Sequence, residues 1–414
     1  MTKKTLDVDY TSRPVDAEGR KSTLSMFMLM LGFTFFSASM WVGQQLAAGL
    51  NFSGFVWALI LGGLILAAYT GSLGYIGAKT GLSLDMLAQR SFGVKGSWLP
   101  SAMISFTQIG WFGVGLAMFA IPVAKEILGL EVTPDSMPWQ GYLLVAVAGI
   151  LMTASAYYGI KSLTIVSYIA VPAVAILGTV AMILAVSRGD LGLIEQFNVG
   201  AKNLGVIAGA GLVVGSFVSG GTATPNFTRF AKSGKVGLIT TVIAFFLGNS
   251  LMFLFGAVSS IYAGGNDIFE VMLNLNLFYM AVIVLGLNIW TTNDNALYSA
   301  GLGLSNITGW SKKSMVIVSG IIGTIAAVWL YWNFCGWLNV LNCTLPPVGI
   351  ILILSYFLGK KDFASATPVT VNWWAVAGVV VGAVVANLVH WGFPAINGMA
   401  VAALLYVTGR AVSR

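Results

Sequence analysis

The chain has 414 residues, of which 57% are hydrophobic and only 8% charged, against about 25% charged in an ordinary soluble domain. Such a sequence cannot cover itself with water-facing polar surface, which excludes a cytoplasmic enzyme and a disordered scaffold. The 50 glycines follow no triplet period, so a collagen-like chain is excluded, and the alternating ten-residue segments of an outer-membrane barrel are missing.

Runs of about 20 apolar residues recur instead, each long enough to cross a hydrocarbon core of roughly 30 Å as a helix. Twelve such segments follow one another, beginning near Leu24, Phe55, Trp98, Gly141, Leu163, Leu204, Val236, Leu277, Met315, Leu338, Trp373 and Ala395. The expected architecture is an all-α polytopic membrane protein. Residues 1–23 read as a cytoplasmic tail, 24–408 as a single transmembrane domain, and 409–414 as a second cytoplasmic tail. The longest connections, Lys79 to Ser97 and Arg188 to Asn203, have room for short surface helices.

The basic excess of +7 follows the loops. With the N-terminus inside, 18 Lys and Arg lie on the inner side: five in the tail, then Lys79, Arg90, Lys95, Lys161, Arg229, Lys232, Lys235, Lys312, Lys313, Lys360, Lys361, Arg410 and Arg414. Only Lys125, Arg188 and Lys202 fall outside. This asymmetry is the positive-inside pattern, and it puts both termini in the cytoplasm. The charge therefore encodes topology and gives no reason to expect nucleic acid. No secretory signal is visible, because the first 22 residues are polar and mixed in charge. Cys335 and Cys343 are too few for a disulfide framework or a four-ligand metal site and read as packing residues. His390, the single histidine, sits at an outer helix end beside Trp391.

Two segments carry helix-breaking composition. The first reads LGFTFFSASMW over Leu31–Trp41, and the sixth has Ser219-Gly220-Gly221-Thr222 followed by Pro225. Glycine costs a helix about 1 kcal/mol and proline about 3. Unwound backbone survives at membrane depth only inside protein or along a wet cavity. Broken helices at corresponding places of two halves mark the midplane site of a secondary transporter. Segments one and six are five apart, as a five-plus-five inverted repeat with two added helices requires. Close helix packing through small residues is the other use of such glycines.

Of the 14 carboxylates, only Asp294 falls inside an apolar stretch. It is either a functional acid of the membrane interior or an acid near a helix end, capped by Asn293 or Asn295. No second acid, histidine or cysteine joins it, so no catalytic set exists and the chain is not expected to be an enzyme. Neutral polar chemistry remains. Gln108 and Trp111 are three apart, and Asn288, Thr291 and Thr292 follow i, i+3, i+4 spacing, so each set shares a helix face. Phe217 lies beside the glycine-rich stretch of segment six. Aromatic faces and amide edges suit a flat, hydrogen-bonding solute such as a nucleobase. The same residues also serve as core aromatics and interhelical bonds in membrane proteins. Threonine hydroxyls with free carbonyls suit a hard cation such as sodium, or else bond back to their own helix.

The stretches LGFTFFSASMW, GYIGAKTGL (74–82), SFGVKGSW (91–98), TQIGWFGV (107–114) and VLGLNIWTTNDNALY (284–298) resemble the nucleobase:cation symporter-1 family, and within it the bacterial cytosine permeases. The resemblance runs along nearly the whole chain. It implies a leucine-transporter-type fold of twelve helices with discontinuous helices 1 and 6. It implies cytosine stacked between Trp111 and Phe217, its edge held by Gln108 and Asn288 with help from Ser219 and the backbone at Gly220. It also implies a sodium site between helices 1 and 8: the carbonyls of Gly32, Phe36 and Asn288 and the hydroxyls of Thr291 and Thr292. The expected function is sodium-coupled cytosine import by alternating access across a bacterial inner membrane. Sodium is the coupling ion, no other cofactor is called for, and the bilayer is the surroundings; no obligate protein partner is evident. The alternatives are proton coupling through Asp294, a related base such as uracil, a purine, hydantoin or allantoin, and a pore or sensor without coupled transport.

Overall fold

The computed structural model describes residues 12–265, 268–359, 363, 367–389 and 391–412. Lys3, Lys4, Lys360, Lys361, His390 and Arg414 lie outside the described residues, as does the side chain of Cys335.

In chain order the helices are α1 (Thr23–Thr34), α2 (Ser37–Gly49), α3 (Phe52–Thr80), α4 (Leu84–Phe92), α5 (Trp98–Glu126), α6 (Trp139–Tyr157), α7 (Ile160–Ser187), α8 (Leu193–Phe197), α9 (Val206–Ala223), α10 (Pro225–Thr228), α11 (Gly234–Val242), α12 (Asn249–Ala263), α13 (Ile268–Asn274), α14 (Phe278–Thr308), α15 (Lys312–Trp332), α16 (Phe334–Thr344), α17 (Pro346–Gly359), α18 (Trp373–Leu388) and α19 (Pro394–Val412). Their ends are written locally. Asn51, Ser83, Ser233, Ser311 and Asn372 each accept a backbone N–H of the turn they open, the usual cap chemistry. Gly81 and Gly309 close α3 and α14 at φ 71° and 72°, a conformation that costs glycine nothing. The two long connections do contain short helices, α4 and α8.

Among the described residues, nine helices are long and apolar enough to cross a membrane, or ten if the pair α1 and α2, bent by 51°, counts as one span. α14 is 31 residues long, about 46 Å at 1.5 Å per residue, but a stripe of Asn, Thr and Asp keeps its hydropathy down. α18 has 16 residues. The last helix continues to Val412, four residues past the expected edge of the membrane domain.

Two groups of helices flank the site, with α7 packed on both and α16–α19 gathered outside them. α3 packs on α9 and α11, and α2 on α12, while α14 packs on α5 and α15, and α6 on α15. Where α11 meets α12 the chain takes a wide π-turn over Ile243–Gly248, a local irregularity that often accompanies functional sites. Residues ahead of α1 are docked too. Val15 is buried and its N–H donates to the Gly81 carbonyl at 2.9 Å. Arg20 donates to the carbonyls of Ala78 and Ala231, each at 2.6 Å.

The expected breaks fare differently. Segment one is interrupted at Phe35 and Phe36, both in extended conformation. Segment six is not unwound at Ser219–Thr222. α9 stays helical through that stretch and ends only at Ala223, where Pro225 removes a donor and starts the single turn of α10. The glycines there serve close packing: a Cβ at Gly221 would lie 2.5 Å from Thr70, and one at Gly220 would lie 2.6 Å from Phe33.

Candidate substrate and cation site

The break in segment one exposes a carbonyl and an N–H that a continuous helix would have paired, and α14 supplies the partner. The Asn288 carboxamide donates to the Phe35 carbonyl and accepts the Ser37 N–H at 2.8 Å. One side chain thus satisfies both sides of the gap, which a buried backbone requires. Each amide has two donors and two lone pairs, so one N–H and one lone pair of Asn288 remain for a solute.

The oxygens named for a cation meet just below. Thr291 Oγ1 lies 3.2 Å from the Gly32 carbonyl and 2.7 Å from the Asn288 carbonyl, with Thr292 Oγ1 at 3.3 Å from the latter. The Phe36 carbonyl is not among them: it accepts the Ser39 N–H at 2.9 Å and so belongs to the first turn of α2. The neighbouring Phe35 carbonyl faces α14 instead. Register within an extended break cannot be counted off from helical spacing, so sequence reasoning missed this residue. All these donors are neutral oxygens, a set that fits a hard monovalent ion and offers no charge for a divalent one. Gly32 also sets the spacing of α1 and α7, since a Cβ there would meet Ser167 Oγ at 2.4 Å.

Above the break lies a box of rings. The Phe36 ring touches both aromatics picked from the sequence, 5.7 Å from Trp111 and 6.4 Å from Phe217 in edge geometry. Phe217 is held from behind by Phe33 and Phe245, each at 5.6 Å and nearly perpendicular; Phe245 comes from the π-turn. Gln108 Nε2 donates to Ser219 Oγ at 2.9 Å, which joins α5 to α9 across the box. Trp111 further touches Phe334 at 5.9 Å, and that ring stacks flat on Trp41 at 4.6 Å. Phe334 also lines a cavity of about 470 Å³, together with Gln45, Asn203 and Leu338 among others. Every residue picked from the sequence for the base and the cation is therefore buried at one junction of α1, α2, α5, α9 and α14. The rings of Phe36 and Phe334 are the additions. Neither had a polar signature to separate it from core.

Asp294 is buried one turn further along α14. Ser155 Oγ of α6 donates to its Oδ1 and in turn accepts Trp290 Nε1 at 2.7 Å.

Against known proteins, residues 14–409 match the family described as permeases for cytosine/purines, uracil, thiamine and allantoin. The chain belongs to this family. It is 47% identical to the cytosine permease of Escherichia coli K12 over 407 residues, covering 97% of this chain and 94% of that one. It is 24% identical to the hydantoin permease of Microbacterium maritypicum over 387 residues, 84% and 76% of the two chains. Among solved structures it superposes on Mhp1, a nucleobase-cation-symport-1 family transporter, closed with bromovinylhydantoin bound, with a TM-score of 0.80 at 19% identity over 96% and 94% of the chains. A Na+-coupled sialic acid symporter in a substrate-bound outward-open state gives 0.69 at 14% identity over 95% and 90%. The fold is thus of the Mhp1 type, and the protein is a membrane transporter of nucleobase-type solutes, not an enzyme.

Proposed function

We propose that the protein imports cytosine together with sodium across a bacterial inner membrane by alternating access. In this reading both termini are cytoplasmic, and α14 and α18 complete twelve spans. The observation that carries it is the double engagement of Asn288. Its side chain closes the break of segment one, and its carbonyl stands beside Thr291 and Thr292 where the neutral oxygens converge. A cation there pulls α1 and α14 together and so fixes the Phe35–Ser37 backbone against Asn288. The same backbone carries the Phe36 ring that borders the stacking slot. Cytosine lies flat between Trp111 and Phe217, its amide-like edge toward Gln108 and the remaining hydrogen-bonding capacity of Asn288. By linkage, sodium tightens cytosine by the same factor that cytosine tightens sodium. The 47% identity to a named cytosine permease supports the substrate, and the neutral oxygen set supports a monovalent ion.

Uptake of labelled cytosine into proteoliposomes with and without a sodium gradient tests the reading. Sodium stimulation that vanishes in Thr291→Ala with Thr292→Ala supports it, and unchanged stimulation in that double variant overturns the cation site. A second reading, proton coupling, draws on Asp294, whose Oδ2 has no hydrogen-bond partner among the described residues. Uptake in sodium-free buffer along an imposed pH gradient separates the two.

A further inference from the structure

Ten residues separate Ser219 from Arg229 along α9 and α10, and ten separate Asn288 from Tyr298 along α14. Both intervals amount to about 15 Å of helix. They lead to the same layer at the end where α1 begins, the cytoplasmic end in the proposed topology. There Arg229 is fully buried, donates from Nη2 to Tyr298 Oη at 2.9 Å and from Nε to the Asn226 carbonyl at 3.2 Å, and lies over the Phe230 ring. Arg229 belongs to the α3–α9–α11 group and Tyr298 to the α5–α14–α15 group, so this bond crosses the seam that a solute leaving the site has to part.

Two more contacts cross beside it. The Leu84 N–H of α4 donates to Asn226 Oδ1 at 2.8 Å. Asp85, anchored by Ser101 of α5 at 2.5 Å, attracts Arg229 through space. Burial pushes the Asp85 carboxyl up to about 6, against the pulls of Ser101, of Arg229 and of a backbone N–H. Phe227 leans on the Tyr298 ring at 6.1 Å, and Lys312 sits 4.8 Å over its centre. A fully buried arginine is expensive unless every donor is engaged, and nothing in the site above uses it.

We propose that the Arg229 guanidinium and the Tyr298 hydroxyl are the bolt of the inner exit, with Asn226 and Asp85 seating α10 against α4 beside them. Bolted, the layer keeps the loaded site closed to the cytoplasm; release requires this charge-assisted bond to break, and it reforms as the empty carrier resets. The proposal rests on the alternating-access reading but not on which base is carried.

Tyr298→Phe is the sharp test, because it removes one oxygen and leaves the ring for Phe227 and Lys312. Amide hydrogen exchange of the purified protein, without cytosine, is expected to speed up about tenfold in α10 and the first turn of α4, the worth of one hydrogen bond to a charged group, while α18 and α19 stay unchanged. Unchanged exchange in α10 overturns the bolt. So does acceleration spread evenly through α18 and α19, since that marks a general packing defect. If Tyr298→Phe does not fold, Arg229→Lys keeps the charge toward Asp85 and loses the fork, and the same local pattern is required of it. Loss of the cytosine reading would appear separately, as an absence of cytosine protection in the wild-type protein, with the α10 difference intact.

Discussion

The first and sixth segments carry similar breaker signals and behave differently. In segment one the chain goes extended at Phe35 and Phe36, with no proline and no glycine at the break itself. In segment six a Ser-Gly-Gly-Thr run stays helical, and the hydroxyls of Thr222 and Thr224 bond back to the carbonyls of Val218 and Gly220. What separates them is the supply of partners. Freed backbone groups in an apolar interior cost more than a glycine's poor propensity, so a helix opens where another helix offers replacement bonds. Asn288 offers them to segment one. Nearest to Gly220 and Gly221 stand the rings of Phe33, Phe217 and Phe245 and the methyl group of Thr70, apolar surface that rewards close approach.

The largest effect that sharpens this contrast is expected from Asn288→Leu. It leaves two buried backbone groups unpaired at about 1–3 kcal/mol each, so sodium-stimulated uptake is lost and the thermal midpoint drops; normal uptake in this variant would show that the break does not depend on α14. Next comes Trp111→Ala, for which equilibrium binding should find cytosine weakened by about 10- to 100-fold, as loss of one stacking face implies. Gly220→Ala should act through Phe33 and Phe217, with cytosine affinity falling about threefold to tenfold by displacement of rings in a tight core; if instead the sixth segment opens on binding at Gly220, alanine would block transport altogether. Pro225→Ala should do least. It restores an N–H to a helix that already runs to Ala223, so thermal unfolding is expected to move by less than about 1 kcal/mol.

Most of the architecture was legible because membrane helices are read from long apolar runs, and caps such as Asn51 and Gly81 are local chemistry. The residues of the site were legible through spacing: Gln108 with Trp111, and Asn288 with Thr291 and Thr292, share faces that helical geometry alone determines. The position of the breaks was not. Asn288 is about 250 residues from the gap it closes, and no window of sequence around Phe35 contains it. For the same reason spacing alone points to the Phe36 carbonyl where the fold presents that of Phe35, and composition alone does not separate an opening from the close contact that the glycines of segment six make. Arg229 and Tyr298 were visible only as a loop cation and a tyrosine in an apolar run until the fold brought them together.

The docked segment ahead of α1 has a mechanical consequence. Arg20, three residues before that helix, grips carbonyls from the end of α3 and from the turn after α10, and the Lys21 N–H adds a bond to the Phe230 carbonyl at 2.7 Å. Any tilt of the first helix therefore drags the end of α3 and the turn after α10 along while these links and the Val15–Gly81 bond hold. Stiffness of this kind favours a hinged slab over a single swinging arm, and it makes the leader residues part of the moving machinery.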